Sequence, residues 1–159
     1  MHYLLPFFHW AGDTWVARMV SGSTWMFPAI EAVHIVALAM LLGATIMLNL
    51  RLFGVTLSSK PVSQLARELS PWTLYSLIII LITGSMLFAS EALKSYTSVP
   101  FRAKMVLLFA ALLFHFTIYR RVTLSDNPQA NHRWDKLVAT VSLLLWVGVG
   151  FAGRAIGFL

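Results

Sequence analysis

A chain of 159 residues that is 58% hydrophobic and only 11% charged falls well short of the ~25% charged residues of a typical soluble domain. Together with a mean hydropathy of +0.76, this excludes a water-exposed globule and points to an integral membrane protein. The net charge of +6 comes from 12 Lys and Arg against 6 Asp and Glu. These cations punctuate apolar segments instead of clustering on a polar face, which argues for anchors at the membrane boundary and against nucleic acid as a partner. The chain has no cysteine, which removes disulfides, thiolate metal sites and iron–sulfur clusters.

Residues 1–24 are aromatic and mixed, with Tyr3, Phe7, Phe8, His9, Trp10 and Trp15. They lack a basic leader segment and a small-residue cleavage site, so the first spanning helix is expected to be its own insertion signal. Asp13 is positioned to cap a short helix with Trp15, Val16, Met19 and Val20 on one side and Arg18 opposite. Such a helix would lie flat at the headgroup level, where Trp and Tyr are favoured. His2 and His9 read as interfacial side chains.

The first span is expected over 27–53, with Pro28 tolerated in its first turn. A polar connection containing Lys60, Pro61, Arg67 and Glu68 follows. Ser70-Pro71 then reads as a helix start, giving a second span over 72–89. After a turn over 91–100, the third span covers 101–119 and ends at Arg120-Arg121. A polar loop with Asn127-Pro128 leads to the fourth span, 137–158. The expected fold is all-α, a single transmembrane domain over 1–159 built as a four-helix bundle with a short N-terminal interfacial helix.

Four spans put both termini on one side. That side carries Arg18, Lys94, Arg102, Lys104 and Arg154; the other carries Arg51, Lys60, Arg67, Arg120, Arg121, Arg133 and Lys136. The excess of cations places the second set in the cytoplasm of a bacterial inner membrane and the termini in the periplasm. Residues 148–153 read GVGFAG, a formal match to a dinucleotide fingerprint. The fingerprint needs a preceding strand and a βαβ unit; inside an apolar helix, small residues instead allow close helix packing.

Ionisable groups inside a span are costly and mark function. Glu31 and His34 lie one helical turn apart in the first span, and His115 lies in the third. Neutral imidazole is a ligand for haem iron, and helix bundles hold cofactors between facing helices. Lys104 precedes His115 by eleven residues, three turns, and so shares its face. Lys104, Arg102 and Arg154 all fall toward the end where the first span begins, where cations can meet haem propionates or lipid phosphates. Glu31 and Glu91 fall there too, as ion-pair partners or proton carriers beside a quinone. At 1.5 Å per residue, His34 sits roughly 7 Å outside the middle of its span and His115 roughly 7 Å inside its own. Met86 and Met105 lie nearer the depth of His34, which makes His34 with Met86 a second axial pairing.

The pattern Trp25, Pro28, Glu31, His34, Gly43, then Asn49-Leu50-Arg51-Leu52-Phe53-Gly54, resembles an uncharacterised family of small bacterial four-helix membrane proteins. The resemblance continues through Thr83-Gly84, Ser90-Glu91, Phe101-Arg102-Ala103-Lys104 and Gly153-Arg154. That family usually has Asp where this chain has Asn49. More distantly, the chain is similar to HemJ-type protoporphyrinogen oxidases and to copper-resistance-D-like membrane domains. The HemJ-type resemblance rests on His34 and on Lys104 followed by His115, and it implies a b-type haem with His34 as ligand and His115 as candidate second.

The expectation is therefore a membrane haem b protein of electron transfer, exchanging electrons with quinone or a periplasmic redox protein. It would work as a homo-oligomer or as a subunit of a complex. His34 and His115 are the candidate iron ligands, and Lys104, Arg102 and Arg154 the candidate propionate contacts. The alternatives are a HemJ-like porphyrinogen oxidase and a cofactor-free scaffold or transport subunit. Copper handling ranks last, since the seven Met residues are scattered.

Overall fold

The computed structural model describes residues 5–55, 59, 61–92, 98–125 and 132–156. His2, Lys60, Lys94 and Asn127-Pro128 fall outside them. Two short helices, α1 (Leu5–Gly12) and α2 (Trp15–Gly22), precede four long ones: α3 (Met26–Leu52), α4 (Val62–Ser90), α5 (Val99–Leu124) and α6 (His132–Ile156). No strand occurs among the described residues. All four long helices are long and apolar enough to cross a membrane, and at 1.5 Å per residue each exceeds the ~30 Å hydrocarbon core.

The outward faces are themselves apolar. Val36 of α3, Ile82 of α4, Val106 and Phe109 of α5, and Leu144 and Phe151 of α6 are all exposed. In water such a surface would far exceed the patch a monomer leaves uncovered; against lipid it is solvated. Inside, α3 packs along α4, α5 along α6, and α6 against α3, while the end of α5 returns to α4. Ala37, Leu41, Leu77, Ala111 and Trp146 form one core layer, and Leu48, Leu65, Ala66, Tyr119 and Ala139 a second.

Three local signals resolve differently from the sequence reading. The cap of α2 is Thr14, not Asp13: the Thr14 hydroxyl donates to the Ala11 carbonyl at 2.8 Å and accepts from the Ala17 N–H at 3.3 Å. Ala17 and Val20 seat α2 on the bundle, and Trp15 and Met19 stay exposed. The α4 helix begins at Val62, so Pro71 lies inside it and does not start it. A mid-helix proline forfeits one backbone bond, here to the Arg67 carbonyl. Burial of Ser63, Leu65 and Ala66 against the layer containing Tyr119 offsets that loss. Likewise α5 runs past Arg120-Arg121 to Leu124, because a turn of π-helix at His115–Tyr119 carries the chain on.

The end of α3 is a complete Schellman motif. Gly54 adopts φ +79°, its N–H bonds the Arg51 carbonyl at 3.0 Å, and the Val55 N–H bonds the Leu50 carbonyl at 3.0 Å. Glycine takes this left-handed conformation without Cβ strain. At the opposite end, Phe88 stacks on Phe101 with centroids 5.2 Å apart and meets Phe8 edge-on at 5.4 Å, tying α1, α4 and α5 together.

Candidate functional site

His34 sits in the third turn of α3, where its ring reaches α4. His34 Nδ1 and Thr83 Oγ1 are 2.8 Å apart. The Thr83 hydroxyl donates its only proton to the Ile79 carbonyl at 2.6 Å, the ordinary back-bond of a helical threonine. With its proton in that bond the hydroxyl accepts from His34, a pairing that puts the imidazole proton on Nδ1. Nε2 keeps its lone pair. A histidine whose second nitrogen is held in this way is in the tautomer a metal or a proton donor requires.

Gly84, next in sequence to Thr83, completes the seat. A Cβ there would lie 3.3 Å from His34 Cε1, closer than ordinary van der Waals contact. Beyond the ring stands Lys104 of α5, the cation whose charge acts on His34. Its Cε and Nζ lie 3.5 Å from where a Cβ on Gly153 of α6 would be. Gly148, one face earlier, lets Leu107 approach to 3.4 Å in the same way. Gly148 and Gly153 of the GVGFAG segment thus serve the α5–α6 contact.

All four spans meet at this end: His34 from α3, Thr83 and Gly84 from α4, Lys104 from α5 and Gly153 from α6. Arg102 and Arg154 are exposed near the same end, as is Glu31. Met86 is half-buried on α4, three residues after Thr83.

The structure does not bring His115 to this group. Both α3 and α5 start at the same end of the bundle. His34 is eight residues into α3 and His115 sixteen into α5, a depth difference of ~12 Å. His115 opens the π-helical turn, closed by an Arg120 N–H to His115 carbonyl bond. Its ring stacks on Tyr119 at 5.2 Å and meets Trp146 edge-on at 6.3 Å. Lys104 and His115 do share the expected face, since both reach α6.

A second set of polar atoms lies away from His34. His115 Nδ1, the hydroxyl of the Tyr119 ring stacked on it, the Ser142 hydroxyl and, elsewhere on α3, both amide atoms of Asn49 are buried with no hydrogen-bond partner on the protein. Tyr119 and Ser142 face each other across α5 and α6 without reaching hydrogen-bond geometry. Each such orphan costs about 1–3 kcal/mol when nothing satisfies it. Thr83, Tyr119 and Ser142 were not singled out as site residues by the sequence reading. The only available signal was a hydroxyl or amide at core register within an apolar span, which also describes many silent positions.

Among the described residues, no three His, Asp or Glu side chains converge on a point that could hold a metal ion. The profile of a family of unknown function (DUF6644) matches residues 7–159, and the chain belongs to that family. No curated protein and no solved structure matches it.

Proposed function

We propose that this member of DUF6644 is a membrane b-type haem protein that takes part in electron transfer, with His34 as an axial ligand through Nε2. The observation that carries this reading is the His34–Thr83 hydrogen bond, which with the proton on Nδ1 leaves the Nε2 lone pair available inside a membrane span. The residues fit the group. Haem brings four of its own nitrogen ligands and asks the protein for one or two more, so a single oriented imidazole suits it where a protein-only metal cage would need several. Gly84 clears the space for the ring, and Lys104 supplies a half-buried cation suited to a propionate, with Arg102 and Arg154 toward the rim. Bound haem would supply a one-electron couple, while the protein would set its position and potential.

On this reading the His34 end faces the periplasm, consistent with the cation excess at the opposite end. Quinone or a periplasmic redox protein would be the electron partner, and the small extramembrane surface favours a homo-oligomer or a larger complex. The resemblance to HemJ-type oxidases suggested by the sequence rests on His34 and the Lys104–His115 spacing. Only its His34 part bears on the proposed haem site, and it does not carry the oxidase activity, because function resides in sites and not in folds. The test is a pyridine haemochrome assay with oxidised and dithionite-reduced spectra of protein purified from haem-replete cells. A Soret band with sharp reduced α and β bands at about one haem per chain supports the proposal. A colourless protein overturns it in favour of a cofactor-free scaffold.

A further inference from the structure

The half of the bundle away from His34 contains a cleft of about 90 Å³ between α3, α4 and α5. We propose that this cleft seats one acyl chain of an anionic phospholipid, whose phosphate pairs with Arg120 near the end of α5.

The shape follows from the packing. The α5 helix comes closest to α4 over Arg120–Leu124, and before that turn a seam is left between the two. Thr45 and Leu48 of α3 form the back wall and are buried, while Leu74 of α4 and Phe116 of α5 flank the outer side and are exposed. The cleft therefore opens sideways, toward lipid. Its lining runs from Ala66 to Leu77 on α4 and from His115 to Leu124 on α5, lengths of ~16 and ~14 Å at 1.5 Å per residue. One leaflet contributes half of a hydrocarbon core ~30 Å thick, so the slot is about as long as a leaflet is deep. Drug-sized ligands fill pockets of ~300 Å³ and more; a volume of about 90 Å³ spread over this length suits a single slender chain.

The wall chemistry agrees. Most of the lining is apolar. Its threonines ask nothing of an occupant, because Thr45, Thr73 and Thr123 donate to the carbonyls of Leu41, Leu69 and Tyr119 on their own helices. The unpartnered His115 Nδ1 and Tyr119 hydroxyl are fully buried and do not face the slot. A hydrocarbon chain laid there leaves none of these donors newly stranded.

Charge selects the headgroup. Arg120 lines the slot and is exposed, and Arg121 beside it is exposed too. An arginine near a helix end extends to the headgroup level while its stem stays against apolar surface, and its planar fork matches a phosphate. This is also the end of the bundle with the cation excess, and basic pockets between spans are sites for anionic lipid. A neutral isoprenoid chain would fill the same slot but leave Arg120 unmatched. This inference does not depend on the haem reading.

The test is native mass spectrometry of the full-length protein in mild detergent, titrated with phosphatidylglycerol or with phosphatidylcholine carrying the same acyl chains. The proposal predicts one tightly held phosphatidylglycerol per chain, bound at least several-fold more tightly than phosphatidylcholine. Arg120→Gln, at an exposed position, is expected to abolish that preference, and Arg18→Gln on α2 to keep it. Ala44→Phe, which fills the slot and leaves Arg120 in place, is expected to lose the tight lipid. Equal binding of the two lipids by the wild type would overturn the proposal, as would a preference that survives Arg120→Gln. A preference that survives Ala44→Phe would also overturn it, by showing attraction of the headgroup without a seated chain, as would an isoprenoid recovered from the protein and displaced by Ala44→Phe.

Discussion

Thr83 Oγ1 lies 2.8 Å from His34 Nδ1 and 2.6 Å from the Ile79 carbonyl, so that with its proton given to the carbonyl it accepts from the imidazole. One side chain on α4 thereby selects the tautomer of an imidazole on α3. Removing the acceptor in Thr83→Val leaves a buried N–H without a partner and releases the ring. Second-sphere losses of this kind reduce metal affinity about 10–100-fold. The expected outcome is a haem dissociation constant raised by that factor, measured by transfer to a haem-scavenging globin, with Thr83→Ser near wild type.

Gly84 touches the same ring. A Cβ at this position would stand 3.3 Å from His34 Cε1, so either the ring or the helix must yield. Gly84→Ala is expected to lower stability by about 1–3 kcal/mol, as for other overpacked contacts, and to broaden the reduced α band. Thermal melts in detergent and reduced spectra check both.

Lys104 is a half-buried cation acting on His34. A positive charge near haem favours the reduced, less positive iron. Lys104→Met is therefore expected to lower the midpoint potential. A unit charge ~10 Å from an iron would, at an effective dielectric of ~20, contribute about 1.7 kcal/mol, on the order of 70 mV for one electron. Lys104→Arg, which preserves the charge, is expected to keep the potential. Spectroelectrochemical titration measures both variants.

A purely structural prediction concerns the end of α3. Gly54 holds φ +79° in a Schellman motif, and a left-handed residue with a Cβ costs roughly 1–2 kcal/mol. Gly54→Ala is expected to reduce stability by about that amount and leave any haem spectrum unchanged, since the motif lies at the far end of α3 from His34.

The four spans were legible because an apolar run of membrane length is a strong signal that tertiary contacts do not overturn. Boundaries were less so. Pro71 looked like a start because proline suits the first turn of a helix, yet burial of Leu65 and Ala66 extends α4 back to Val62. At α2, Asp13 and Thr14 are both capping residues, and only the fold chose Thr14. His34 and Lys104 stood out as ionisable groups in apolar surroundings. Thr83 did not, because a helical threonine ordinarily bonds its own backbone and only the crossing of α3 over α4 gives it a second partner. The π-helical turn at His115 has no sequence signature, so neither the added twist of α5 nor the approach of Tyr119 to Ser142 could be read from spacing alone.

The most direct measurement is the visible spectrum of purified His34→Gly with and without added imidazole, beside the wild type. The account predicts a wild-type Soret band with sharp reduced bands, their loss in His34→Gly, and their return when imidazole occupies the space left beside Gly84. A wild-type haem spectrum that survives His34→Gly without imidazole would contradict the assignment of His34 as the ligand.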